Sequence, residues 1–599
     1  MRVMVLAVTW LFSGLVYADV TQRLEMRIAP SESDPKVFAI DVMTTIATDS
    51  RFPELLEFEI STPPGFLGVE EPHLEGDLVF TAPSSIDSLE DGEVIVTDHE
   101  SKSWSWRVKP GDSQLIRVRY RVPLTFDQRT SALTGVEHIL PYVADDHGMI
   151  GTLMTTGTTI NALPNRVLAK VMTPKELELF SPWPIAKDAG SEEEIWYEVP
   201  LEAIMGYEYL PVGAWVGPSL TIGEFRVHML FSPSGARFEP RLRQPLEKII
   251  DYGIRLFGVP MQDTFLFAFR INESGSGRIS ATTATNSIYF LFDSRVAELD
   301  PEPMFHVIAH EFVHLWGRHS LAIGQVEDMR WLHEGFTDYY ASQICFRLGL
   351  LSEESFKKDW IAKLETAENT PARGRWSIAA AGPMAMQGDT PSQELTYQGG
   401  WLLAAWLDAA IRKKALAGDN KHEFIPSAGD VAKPGTLDVL MRDFYNDPQW
   451  NKHVRPTPAL FLERLAKYLP AEQVAKFEKF TTEPWQFNSE VEFSALGFPV
   501  ERKQVPAERL GLALEPGKLI VQNLQPGKAG VTMGLHKGDE ILRINRIEIH
   551  SIADLRPAWL ESDDEDVEII IRRGEQEIAL RGKKPREDQV QIDPSLLLR

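Results

Sequence analysis

The stretches HVIAHEFVHLW, residues 306–316, and WLHEGFTDYY, residues 331–340, decide the fold of this chain, and both read as helices. At about 1.5 Å rise and ~100° per residue, side chains four positions apart lie one above the other on one helix face. His310 and His314 can therefore aim ring nitrogens at a single cation. Glu311 is rotated away, where it can accept a proton from a water held on that cation. Glu334, after nineteen intervening residues, supplies the third ligand that a catalytic zinc site wants, with one position left open. Leu332, Phe336 and Tyr340 give the second helix an apolar stripe. Asp338, four residues beyond Glu334, shares its face and can hydrogen-bond the second nitrogen of one ligating histidine, fixing its tautomer.

His306 continues the histidine series, but a cation that already holds His310, His314 and Glu334 needs no fourth protein ligand. It reads as a packed or ligand-supporting residue, and His319 and His333 read as structural or exposed. One zinc per chain in such a site lowers the pKa of its water toward ~7 and polarises a carbonyl, while Glu311 takes the proton and passes it to a leaving amine. A tetrahedral oxyanion needs a further donor. Tyr397, at the start of the helix-like stretch TYQGGWLLAAWLDAAIRKK (396–414), is a candidate, with core packing as the other reading.

The rest of the chain is consistent with an exported multidomain protein. Its 599 residues suggest three or four domains at ~150 residues each, and 43% hydrophobic with 25% charged residues argues against extensive disorder. A net charge of -25 argues against nucleic acid and anionic membrane surfaces as partners. MRVMVLAVTWLFSGLVYADV opens with Arg2, an apolar run from Val3 to Val16 and a small-residue site ending at Ala18, the pattern of a signal peptide over residues 1–18. That implies a periplasmic or secreted protein with no integral membrane segment after cleavage. Cys345 stands alone, so no intramolecular disulfide forms.

Residues 19–225 are rich in strand-like runs, among them VFAIDVMTTI (37–46), LIRVRYRVPL (115–124) and RVLAKVMTP (166–174). EFRVHMLFSP (224–233), a helix over 240–257, and strands FLFAFRI (265–271) and SIYFLF (287–292) follow, the last two flanking the loop NESGSGRISATTATN. Helices are expected at 303–316, 331–348, 353–368, 397–413, 436–446 and 458–480, before strands and turns return from 495 to 585.

HEFVHLW, WLHEGFTDYY and YQGGWLLAAWLDAAIR, in this order and spacing, resemble the glycyl aminopeptidase family of zinc peptidases, which belongs to the thermolysin-like gluzincins. KSWSWRVKPGDSQLIRVRYRV (102–122) and GYEYLPVGAWV (206–216) look like its N-terminal β-domain, and TLDVLMRDFYND (436–447) like its helical domain. The resemblance implies a β-rich N-terminal domain and a thermolysin-like α/β catalytic domain with a helical C-terminal part (226–490). It implies His310, His314 and Glu334 as zinc ligands, Glu311 as general base, Tyr397 as the hydroxyl that stabilises the transition state, and peptides or proteins as substrates. Related aminopeptidases carry a glutamate in the Gly-rich segment before the first zinc helix, to bind a free amino terminus. SGSGRISATTATNS (274–287) contains no acid, and Glu273 sits just before it, though the segment can still form an edge strand whose backbone pairs with an extended peptide. This leaves open an endopeptidase or a non-catalytic peptide-binding scaffold.

KLIVQNLQPGKAGVTMGLHKGDEILRINRIEIHSIADL (518–555) resembles a PDZ domain, expected over 491–585 with a tail at 586–599. RLGLAL (509–514) stands where such domains hold their carboxylate-binding loop and receiving strand. The resemblance thereby implies Leu510, Gly511 and Leu512 as contacts for the C-terminal end of a peptide ligand.

Overall fold

Alternation of apolar and polar residues near the N-terminus yields strands with one buried face. In the computed structural model, β1 (Val20–Pro30), β2 (Phe38–Thr48), β3 (Leu115–Pro123), β4 (Arg166–Met172) and β5 (Tyr197–Val199) form a sheet in the order β5-β4-β1-β2-β3. β1 and β2 are antiparallel, with Val20 opposite Thr48 and Ile28 opposite Ile40. Leu24, Met26 and Ile28 on β1 and Ile40, Val42 and Ile46 on β2 share the buried face, as the two-residue strand period requires.

The structure describes residues 20–592 apart from 31–37, 50–55, 61–103, 109–114, 124–141, 144–146, 152–157, 160–161, 190–193, 206–207, 261–263, 273–278, 300, 318–326, 418–430, 448–456, 508–509, 516–517, 525–527 and 562–565. The signal segment 1–18, Glu273, His319 and the end of the tail after Ile592 therefore lie outside the described residues. Among the described residues no helix is long and apolar enough to cross a membrane. The chain divides into two compact units, Met1–Phe487 and Asn488–Arg599.

A second five-stranded sheet in the first unit carries the candidate site. It consists of β6 (Ser219–Ile222), β7 (Phe225–Phe231), β8 (Thr264–Asn272), β9 (Ile279–Thr283) and β10 (Ser287–Asp293), in the order β6-β7-β8-β10-β9. β7, β8 and β10 run parallel, and β6 and β9 are antiparallel edges. β9 falls in the stretch read as a loop that can also form an edge strand. Its sequence, ISATT, has little apolar character, and its strand form comes from pairing with the fully buried β10.

β8 and β10 carry unbroken apolar runs, residues 265–269 and 288–292, as strands buried on both faces do. Phe269 stacks on Phe231 at 4.9 Å and on Phe290 at 4.6 Å between ring centroids. Helix α1 (Glu239–Phe257) joins β7 to β8, and α2 (Glu302–Gly317) follows β10. Phe312 of α2 meets Phe267 of β8 edge to face at 5.8 Å, fixing the rotation of the helix that bears the three histidines.

The helical part departs from the expected pattern in several places, among them two short added helices, Ile378–Met386 and Thr390–Glu394. Residues 458–480 form two helices, Pro458–Leu465 and Ala471–Thr482, because Pro470 cannot continue a helix and instead precedes the second. The expected helices 331–348 and 397–413 each begin with a π-helical turn. Trp331–Phe336 leads into α3 (Thr337–Arg347), then α4 (Glu353–Asn369) follows, and Leu395–Gly399 leads into α5 (Gly400–Leu416).

The first π turn touches the start of α5 backbone to backbone. A Cβ added to Gly335 would stand 2.4 Å from Gly400 Cα, and one added to Gly400 would stand 2.3 Å from the Trp331 carbonyl oxygen. Only glycine at both positions permits this approach.

The second unit has its own apolar core, including Val521, Ile541, Ile544, Trp559, Ile569 and Ile571. A four-stranded sheet (Ile547–Glu548, Glu540–Ile544, Val567–Arg573, Gln576–Gly582) and a helix (Ile552–Leu560) surround it. Leu512–Leu514 pairs with Val521–Leu524, and Val500–Pro506 with Arg586–Ile592.

Candidate metal centre

Two neighbouring helices present three donors to one point. His310 and His314 lie on α2, their Nε2 atoms 3.2 Å apart. Glu334, in the π turn before α3, sets Oε2 at 3.4 Å from His310 Nε2 and 3.5 Å from His314 Nε2. With metal–ligand bonds of about 2.0–2.2 Å, two ligands on a tetrahedral zinc stand ~3.3–3.5 Å apart. The two separations to Glu334 match that edge and the one between the histidines is within about 0.1 Å of it, and the donor chemistry, two imidazoles and a carboxylate, is that of a zinc site. The trio forms a group that could hold a metal ion.

The second nitrogen of each histidine has a partner from the start of α3. Asp338 Oδ1 lies 3.5 Å from His310 Nδ1 and accepts from His306 Nε2 at 2.7 Å. Thr337 Oγ1 lies 3.5 Å from His314 Nδ1. Asp338 and His306 thus stand where the sequence suggests, and Thr337 is an addition. Its i+3 offset from Glu334 is a signal that was available.

Asp338 is itself clamped. Lys363 Nζ, from α4, donates to Asp338 Oδ2 at 2.8 Å, Asp359 Oδ2 at 2.9 Å and Ser342 Oγ at 3.1 Å, using its three protons on three acceptors.

The electrostatics follow from burial and pairing. Burial alone would raise the Asp338 carboxyl, but the Lys363 and His306 charges hold it well below the usual carboxylate range. Glu334 is likewise held low against burial, by hydrogen bonds from His310 and His314 and by the Arg330 charge. Burial disfavours a charged His310, yet Asp338 and Glu334 outweigh it and raise the ring to about 10. A site that draws a proton this strongly draws a cation by the same forces, and the cation takes the proton's place. His333, half-buried with its ring 4.3 Å from that of His314, is pushed down to about 3 by burial and by the neighbouring charges. It stays neutral.

Glu311 and Tyr397 flank the donors. Thr283, on the edge strand β9, donates its hydroxyl to the Glu311 carboxylate and lies 3.2 Å from the Glu311 carbonyl oxygen. The Tyr397 ring is parallel to that of His310, 6.2 Å away and inclined by 8°. Burial, then the Glu334 charge and hydrogen bond, push its phenol well above the ordinary value, so it keeps its proton and remains a donor. Tyr397 thus lies beside His310 and Glu334.

Glu208 had no signal in the sequence beyond being an acid among apolar residues. It is fully buried and accepts from the Asn286 N–H at 3.0 Å, from the Ser287 hydroxyl and from Trp183 Nε1 at 3.3 Å, bracing the turn that follows β9.

This fold and this donor set define a zinc metallopeptidase of aminopeptidase-like type. Residues 304–402, which carry the three donors, Glu311 and Tyr397, match the family model described as M61 glycyl aminopeptidase. The fold is shared with an aminopeptidase N family protein from Idiomarina loihiensis. The two are 14% identical and superpose at a TM-score of 0.66, with 96% of this chain and 99% of that one covered. A 69-residue segment, 12% of the chain, is 30% identical to a Chlamydia pneumoniae protein named "Probable periplasmic serine endoprotease DegP-like"; the match spans 14% of that relative's length.

Proposed function

We propose that the chain hydrolyses peptide bonds with His310, His314 and Glu334 as zinc ligands, Glu311 as general base and Tyr397 as oxyanion donor. The observation that carries this reading is the trio of donor atoms 3.2 to 3.5 Å apart. When bound, the zinc supplies Lewis acidity for the scissile carbonyl and acidifies a water.

The chain's own groups do the rest. Glu311 Oε1 is free of the Thr283 hydroxyl, which engages Oε2, and takes the proton. Thr283 limits the rotation of that carboxylate. Tyr397 donates its phenolic proton in a hydrogen bond to the developing oxyanion. Edge strand β9, beside Glu311, offers backbone groups with which an extended peptide can pair as a further strand.

Aminopeptidase action requires an anion for the substrate's amino terminus. Residues 279–287, the described part of the segment that carries it in related enzymes, contain no acid, which favours an endopeptidase as the second reading. Cleavage of matched peptides with free and acetylated amino termini separates the two: the aminopeptidase reading expects loss of turnover on acetylation, and equal rates favour the endopeptidase. Glu311→Gln should retain zinc and lose nearly all turnover on both; near-normal activity would remove Glu311 as base.

The proposed organisation is a signal peptide (1–18), a β-rich domain (19–225), the catalytic domain (226–490) and a PDZ module (491–585), in an exported protein. The module reading is supported by Gly511 at φ 67°, which turns the chain ahead of the short strand Leu512–Leu514. Among the described residues that strand pairs on one side only, leaving an edge to receive a peptide. Leu510, whose carbonyl accepts the Gly530 N–H at 2.6 Å, anchors the turn.

A further inference from the structure

Arg330 directly precedes the π turn that carries Glu334. Its Nη2 donates to Glu334 Oε1 at 3.1 Å, and its side chain is 20% exposed. The other carboxylate oxygen, Oε2, is the one turned toward His310 and His314. The two oxygens of Glu334 are therefore divided between a guanidinium and the metal position. Arg330 also extends over Tyr397, its Cζ 6.0 Å from the ring centroid, at the reach of a cation–π contact.

A carboxylate beside a divalent cation can bind through one oxygen or both. Coordination through both would add a donor and crowd the position that water and substrate need. We propose that Arg330 is a positioning residue: it holds Glu334 Oε1 away from the metal, so that Glu334 ligates through Oε2 alone and the fourth corner stays open. The role depends on the planar guanidinium, which fixes the direction of its N–H groups, and not on positive charge alone. An ammonium at this place keeps the charge but not the directed fork. This inference rests on the zinc reading proposed above.

The test uses the full chain stripped of metal and titrated with cobalt(II), whose visible absorption reports the number of donors. Wild type should take up one cobalt with the strong band of a four-coordinate site. Arg330→Met should take up cobalt but lose band intensity, as the freed oxygen becomes an added donor. Arg330→Lys, the milder change, should lose intensity too, which a role based on charge alone does not produce. Circular dichroism checks that each variant is folded. Band intensity in folded Arg330→Met equal to wild type would overturn the inference and leave the zinc reading standing. So would wild-type intensity in Arg330→Lys, which serves alone if the methionine variant does not fold. No cobalt uptake by wild type would overturn both.

Discussion

Replacing Gly335 by alanine should damage stability and catalysis together. The added methyl carbon would lie 2.4 Å from Gly400 Cα, 2.5 Å from Gly400 C and 2.6 Å from Trp401 N. All three are backbone atoms, so no side-chain rotation relieves the clash. Bringing the nearest to the 3.4 Å of an ordinary contact requires the first π turn and the start of α5 to part by 1.0 Å. The first carries Glu334 and the second continues directly from the turn that carries Tyr397, so the opening appears between the proposed metal ligand and the proposed oxyanion donor. Overpacking of this kind costs about 1–3 kcal/mol of folding stability, and a displacement near 1 Å at a reacting centre costs ~10²-fold in rate. Urea denaturation and kcat/KM on a peptide substrate measure the two effects. Gly399→Ala is the control, since its methyl would meet side-chain atoms and no backbone: the ends of Leu395 and Ile378 at 3.0 and 3.1 Å and the Trp485 ring at 3.5 Å. Wild-type stability and turnover in Gly335→Ala, or equal damage in both variants, would refute the claim that the glycine contact sets the site.

Tyr397→Phe should lower kcat by ~10²–10³-fold with little change in KM, as loss of an oxyanion donor does, and steady-state kinetics will show it. Lys363→Met removes the lysine from the buried Asp338 carboxylate, leaving His306 and His310 as its remaining partners, and should cost about 3 kcal/mol, read by denaturant midpoint. The raised His310 value gives a pH signature in the metal-free protein. Its contribution to stability is fully present below pH 6.5 and is lost as the pH rises through about 10. Zinc uptake near pH 8 should therefore release a proton, measurable in weakly buffered solution, because the ligating ring must be neutral.

Local spacing made part of the centre legible. His310, Glu311 and His314 follow from the helical repeat, and Asp338 from its offset to Glu334, because one helix face dictates where each side chain points. Groups brought in across the fold left no such trace. Thr283 reaches Glu311 from a polar strand defined by pairing with β10, and Lys363 reaches Asp338 from a separate helix. Neither has a local signal, since a threonine in a loop-like run and a lysine on an amphipathic helix are both ordinary. The π turns were equally hidden: apolar periodicity tolerates one extra residue per turn, and only the Gly335 and Gly400 pair hints at the close crossing.

The most direct measurement is zinc content against activity in the purified full chain and in Glu334→Ala. We expect one zinc per wild-type chain, peptide hydrolysis that is lost to a chelator and restored by added zinc, and neither metal nor turnover in the variant. Hydrolysis that persists undiminished in metal-free wild-type protein, or in Glu334→Ala, would contradict the account.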